Sequence, residues 1–72
     1  MYSVAIYTPG DLDIEHVLAH KIVLYLTTIL YNYGIKKSEE WFDNIIHELK
    51  ERDMAYIYDS HSGIHIAIKR AY

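Results

Sequence analysis

Seventy-two residues make one small domain, in a size range where a chain buries only about 60% of its unfolded surface, and they exclude a two-domain enzyme. With 51% hydrophobic and 24% charged residues the composition is globular, which argues against a disordered tail or a fibrous rod. Seven Lys+Arg against ten Asp+Glu leave a formal charge of -3, too acidic for a general nucleic-acid coat and too mild for a DNA mimic.

The absence of cysteine removes disulfide staples and thiolate metal sites, and makes a cytoplasmic location the default expectation. The N-terminal MYSVAIYT carries no basic head, and the apolar run Ile22 to Leu26 is too short to span a bilayer, so a soluble protein without a membrane partner is expected. So small a chain without staples often gains stability by association. Eight tyrosines form an amphipathic surplus that suits a homodimer or another protein partner.

Residues 2 to 8 alternate Tyr2, Val4 and Ile6 against Ser3, Ala5 and Tyr7, the period of a strand with one aliphatic face. Thr8-Pro9-Gly10 ends it. Asp11 and Asp13 then read as N-cap or first-turn carboxylates of a helix from about residue 12 to Tyr33, closed by Gly34. On that helix Leu18, Ile22, Tyr25, Leu26, Ile29 and Tyr33 share one apolar arc, the face expected to meet the sheet. On the opposite side Val17, Leu24 and Tyr31 recur at seven-residue spacing among polar residues. Such a stripe is covered either by the second helix or a bent terminus, or by a partner helix.

Ser38 reads as the cap of a second helix through about Asp53, with Glu39 and Glu40 in its first turn. Trp41, Phe42, Ile45, Ile46 and Leu49 form its core stripe, while Asp43, Asn44, His47, Glu48, Lys50 and Glu51 face water. The short connection at residues 34 to 37 predicts an antiparallel helix hairpin. Residues 54 to 59 and 63 to 70 then alternate as two strands about Asp59-Ser60-His61-Ser62-Gly63. With Ile57, Ile64, Ile66 and Ile68 beneath the helices beside Val4 and Ile6, residues Tyr7, Tyr56, Tyr58, His65 and Lys69 fall on the other face of the sheet. The predicted fold is α+β: one domain over residues 1 to 72, ordered β-α-α-β-β, with the helix hairpin on one face of a three-stranded sheet. Its predicted core is Ile6, Ile22, Ile29, Trp41, Phe42, Ile45, Leu49 and Ile66.

No catalytic set assembles. His16 and His20 stand one helical turn apart on the predicted helix, a spacing that can hold zinc, but Val17 occupies the position where a zincin carries Glu, and no sequence signal fixes a third ligand. Solvated or interfacial histidines are the expectation, with no metal and no cofactor. Asp59-Ser60-His61 contains the residue types of a nucleophilic triad, yet neighbours on one turn do not align as nucleophile, base and orienter, and Asp, Ser and Gly are ordinary turn formers. Pro9-Gly10 lacks the glycine spacing and lysine of a phosphate loop.

Tyr7, Tyr56 and Tyr58 with His65 and Lys69 offer a stacking platform that would suit a nucleobase, but only the chain end is basic. A protein partner values the same tyrosines for contact area at low rotamer cost. The candidate partner-binding residues are therefore Val17, Leu24 and Tyr31 on the first helix and Tyr7, Tyr56 and Tyr58 on the sheet, with the helix stripe preferred.

From about Thr27 to Lys69, clearest in YNYGIKKSEEWFDNIIHELKERDMAYIYDSHSGIHIAIK, the order helix, Gly-containing turn, helix and hairpin resembles the later half of a winged-helix domain, and Leu49 followed by Met54 and Ile57 resembles its helix-to-wing transition. The resemblance implies a DNA-binding regulator whose recognition helix spans residues 38 to 53. That helix exposes Glu39, Glu40, Asp43, Glu48 and Glu51, which phosphates repel, and a strand stands where the family has its first helix. The expected function is thus a small non-enzymatic binding or inhibitory module, of the kind viruses, phages and mobile elements encode, with a DNA-binding regulator as the alternative.

Overall fold

The computed structural model describes residues 1–71. Strands β1 (Tyr2–Thr8) and β2 (Asp11–Val17) are followed by a 3-10 turn (Ala19–Lys21) and helix α1 (Ile22–Asn32). Helix α2 (Glu39–Arg52) and strands β3 (Met54–Asp59) and β4 (Ile64–Arg70) complete the chain. The strands form one antiparallel sheet in the order β2-β1-β4-β3. The α+β class holds, but the sheet has four strands, and the long first helix is half its expected length.

The difference arises at residues 11–17. Asp11 and Asp13 cap no helix. Pro9 and Gly10 close a two-residue connection in which Gly10 takes a φ of 86°, and Tyr2↔Val17 through Thr8↔Asp11 pair in continuous register. Only glycine enters that left-handed region cheaply. The segment Asp-Leu-Asp-Ile-Glu-His-Val alternates with period two as well as it matches a helix start, and pairing with β1 satisfies its backbone. Helix α1 then begins at Ile22 without a side-chain cap. It ends in a Schellman arrangement: the Gly34 N–H donates to the Tyr31 carbonyl, the Ile35 N–H donates to the Leu30 carbonyl, and Gly34 has a φ of 73°.

Helix α2 follows its local signals closely. The Ser38 hydroxyl accepts a 3.2 Å hydrogen bond from the Trp41 N–H, with Glu39 and Glu40 in the first turn. Asp53 caps the other end at a φ of 59°, and its carboxylate meets the Arg70 guanidinium at 3.0 Å.

Both helices cover the same side of the sheet. Ile22, Leu26 and Leu30 of α1 and Leu49 of α2 close onto Val4, Ile6, Val17, Ala55, Ile57, Ile64, Ile66 and Ile68. Of the predicted core, Ile6, Ile22, Leu49 and Ile66 are buried, whereas Ile29, Trp41, Phe42 and Ile45 are half-buried at its rim. Leu18 and Tyr33, placed on the apolar arc by helical periodicity, are exposed. The change of structure at Val17 breaks that period. Among the described residues no helix is long and apolar enough to cross a membrane.

Candidate functional site

Among the described residues nothing covers the sheet face away from the helices. Strand register sets its composition, since side chains alternate across a strand and those on one face line up with their partners'. Leu12, Tyr7, His65 and Tyr58 form one row across β2-β1-β4-β3. Ile14, Ala5, Ala67 and Tyr56 form the next, and His16, Ser3, Lys69 and Met54 the third.

On this face the two edge strands carry Leu12, Ile14, Met54, Tyr56 and Tyr58 with His16, and the two central strands carry Ser3, Ala5 and Ala67 together with Tyr7, His65 and Lys69. Tyr7, Leu12, Ile14, Met54, Tyr56 and Tyr58 are each 44–62% exposed, while Ser3, Ala5 and Ala67 are half-buried between them. The result is an apolar face whose small residues are confined to Ser3 and the Ala5–Ala67 pair, with Tyr7 and His65 at one end of the central strands and Lys69 at the other. Its apolar exposure is on the order of 500 Å², toward the upper end of the largest patch on an ordinary monomer.

One corner of the face is ordered by contacts of its own. The Tyr56 hydroxyl is hydrogen-bonded to His65 Nδ1, and the His65 ring lies against Tyr58 with centroids 4.5 Å apart. The Tyr56 and His65 rings are 5.8 Å apart. Tyr56 thus leans diagonally across the ladder toward the row of Tyr58.

Charge is segregated as well. Asp11, Asp13 and Glu15 alternate with Leu12 and Ile14 and so project from β2 toward the α1 side. Among the described residues no carboxylate side chain lies on the open face, although the chain is acidic overall. Lys69, His16 and His65 are the titratable nitrogen groups there. On the opposite side the Tyr25 phenol pKa is pushed up to about 12, first by burial and then by the Glu15 carboxylate to which its hydroxyl donates.

Tyr7, Tyr56 and Tyr58 are brought together as their alternation implies. The helix stripe is not formed. Val17 is a buried core residue at the end of β2, and only Leu24 and Tyr31 remain on the outside of α1, 70% and 78% exposed. Leu12, Ile14, Met54, Ala5 and Ala67 join the surface without having been singled out from the sequence. The detectable signal was the alternation of residues 11–17, masked by its acidic residues' likeness to a helix cap.

His16 lies on β2 and His20 in the 3-10 turn, so the one-turn spacing that would suit zinc does not exist. Among the described residues no group of three or more His, Asp or Glu side chains is arranged to hold a metal ion. Asp59 ends β3 at the hairpin connection. Its carboxylate accepts the Ser62 N–H at 2.9 Å and the Ser62 hydroxyl at 2.8 Å, and these bonds hold its pKa below the usual carboxylate range. Gly63 completes the turn at a φ of 75°.

A crevice between the helix connection and β3 is lined by Leu30, Ile35, Lys37, Trp41, Ile45 and Asp59. Lys37 Nζ stands 5.5 Å from the Trp41 ring centroid, a cation-π contact that covers this seam. No nucleophile and base pair meets there. No protein-family model, curated protein or solved structure matches the chain.

Proposed function

We propose that the protein is a small non-enzymatic binding module whose docking surface for a protein partner is the open sheet face. The observation that carries this reading is the side chosen by each half of β2. Its acids point toward the helices and Leu12 and Ile14 point into the open face, the reverse of the polar-out alternation of a sheet with one solvated side. Leu12 and Ile14 gain by burial only if something lies on that face.

A protein fits the chemistry better than a nucleic acid. Among the described side chains of the face Lys69 is the single fixed cation, whereas tracking a phosphate backbone takes a run of cations and a positively charged groove. The outer side of α2 carries exposed Glu40, Asp43, Glu48 and Glu51, which disfavours that helix as a DNA reader.

The test is selection of displayed protein fragments from the source genome against the parent, Leu12→Asp, Tyr58→Glu and Leu24→Glu, each first checked for fold by circular dichroism. Fragments retained by the parent and by Leu24→Glu but lost with both face variants support the reading. Fragments lost only with Leu24→Glu overturn it, as does sub-micromolar binding of single-stranded RNA or duplex DNA near physiological salt.

A further inference from the structure

We propose that strand β2 is a docking edge, to which an extended segment of a protein partner, with Lys or Arg at alternate positions, adds as a further strand of the sheet. The proposal rests on the partner being a protein, as above, and moves from the open face to the edge that borders it.

The backbone of β2 is only half used. The two-residue connection at Pro9 and Gly10 makes Thr8 and Asp11 a hydrogen-bonded pair, and along an antiparallel ladder bonded and non-bonded pairs alternate. Asp13, Glu15 and Val17 therefore bond to β1, while the N–H and C=O groups of Leu12, Ile14 and His16 point away from the sheet. The same alternation reaches the far side, where the Arg70 N–H donates to the Asp53 carbonyl at 2.8 Å. The Leu12 N–H is closed off by the Asp11 carboxylate at 2.9 Å. Among the described residues nothing bonds to the outward groups of Ile14 and His16. Both faces of the strand are also open. Asp11 through His16 are exposed, whereas at the opposite edge Ala55 and Ile57 of β3 are buried beneath the helix layer.

Side-chain charge selects the occupant. Asp11, Asp13 and Glu15 stand on the helix side of β2 at two-residue intervals, about 7 Å along the strand. Among the described residues none of them has an ion pair, and they do not converge as metal ligands do. An added strand repeats its side chains at the same interval. Lys or Arg at every second position then meets each carboxylate in turn, and opposite charges facing each other across two strands stabilise the pairing. The residues between those cations lie beside Leu12 and Ile14 and are expected to be apolar.

A second copy does not supply this match. Opposed residues of antiparallel strands share a face, so β2 paired in that way with a copy of itself sets its carboxylates against the copy's carboxylates. Paired head-to-tail with β3 of a copy, they meet Ala55, Ile57 and Asp59, which carry no cation. A helix has its backbone groups bonded internally and leaves the outward groups of β2 unpaired. Phosphates are repelled by the acidic row.

The experiment selects displayed linear peptides of about ten residues, long enough to pass the length of a strand, against the full chain. Winners are expected to carry Lys or Arg alternating with apolar residues. By fluorescence anisotropy they should bind Asp13→Lys about three- to tenfold more weakly than the parent, and regain affinity when the facing cation is changed to Glu. Asp13 is exposed and lies outside the core, and circular dichroism checks the fold of the variant. N-methylation along a winning peptide should weaken binding about tenfold at every second backbone nitrogen and little at those between, because only alternate N–H groups face β2. In the complex, amide hydrogen exchange followed by NMR should slow at Ile14 and His16 and stay unchanged at Tyr56 and Tyr58.

Winners without alternating cations, N-methyl effects without a period of two, or protection at Tyr56 and Tyr58 in place of Ile14 and His16 overturn the proposal. Peptides lost with Tyr58→Glu and indifferent to Asp13→Lys bind the open face, which overturns the edge while leaving the protein-binding reading standing. Binding that survives Tyr58→Glu and falls with Asp13→Lys supports the edge whatever the open face takes. A parent that is dimeric by sedimentation, with its Ile14 and His16 amides already protected, overturns the proposal in favour of a second copy.

Discussion

Leu26 and Leu24 provide a matched test of which side of α1 faces the sheet. They are the same residue type within one helix, so truncation to Ala changes helix propensity equally at both. Leu26 is 0% exposed in the core cluster and Leu24 is 70% exposed. Leu26→Ala removes buried carbon and leaves a cavity, at a cost of about 2.7–5 kcal/mol. Leu24→Ala removes carbon already largely in water and should fall within about 0.5 kcal/mol of the parent.

A domain of this length has a total stability of about 4–11 kcal/mol at the usual per-residue values. Leu26→Ala therefore consumes a large part of it and should lower the melting temperature by more than about 10 °C. Urea unfolding followed by circular dichroism measures both variants, and an unchanged m-value shows that the denatured state is comparable. Equal midpoint shifts, or a larger one for Leu24→Ala, would refute the placement of the helix.

Val17→Ala distinguishes the strand from the helix stripe. Buried at the end of β2, it should cost about 1–3 kcal/mol in the same unfolding assay, whereas a surface position would show almost no change. Ser38→Ala removes the α2 cap and should cost about 0.5–2 kcal/mol, read as a lower urea midpoint. In a spectrophotometric titration one phenol should ionise at about pH 12, and Glu15→Gln should lower that value without restoring it fully, because burial is the larger cause. The raised Tyr25 pKa means that its contribution to stability is complete below about pH 10 and is lost as pH rises toward 12. Asp59 has the opposite sign. Its contribution is present above the ordinary carboxylate pKa and disappears as pH falls through the lowered native value, so Asp59→Asn should flatten the acid limb of the melting profile.

Much of the architecture is legible locally. The alternation of residues 2 to 8, the Ser38 cap, the apolar stripe ending at Leu49 and the hairpin about Asp59 to Gly63 each specify an element through contacts within a few residues. Period two also assigns Tyr7, Tyr56 and Tyr58 to one face before any tertiary contact is known, because a strand leaves only two choices for each side chain. Residues 11–17 are different. Asp11 and Asp13 suit a helix start, and Leu12 and Ile14 suit a strand, so local preference does not decide between them.

Pairing with β1 across Pro9-Gly10 resolves that conflict by giving the segment a backbone ladder and placing Val17 in the core. The same tertiary choice removes the Val17, Leu24 and Tyr31 stripe and turns Leu12 and Ile14 toward the open face. Sequence alone determined the aromatic half of the candidate surface. The aliphatic half, Leu12 and Ile14, and the exclusion of the β2 carboxylates from that face were decided by the pairing of β2 with β1, a property of two strands together that neither strand carries by itself.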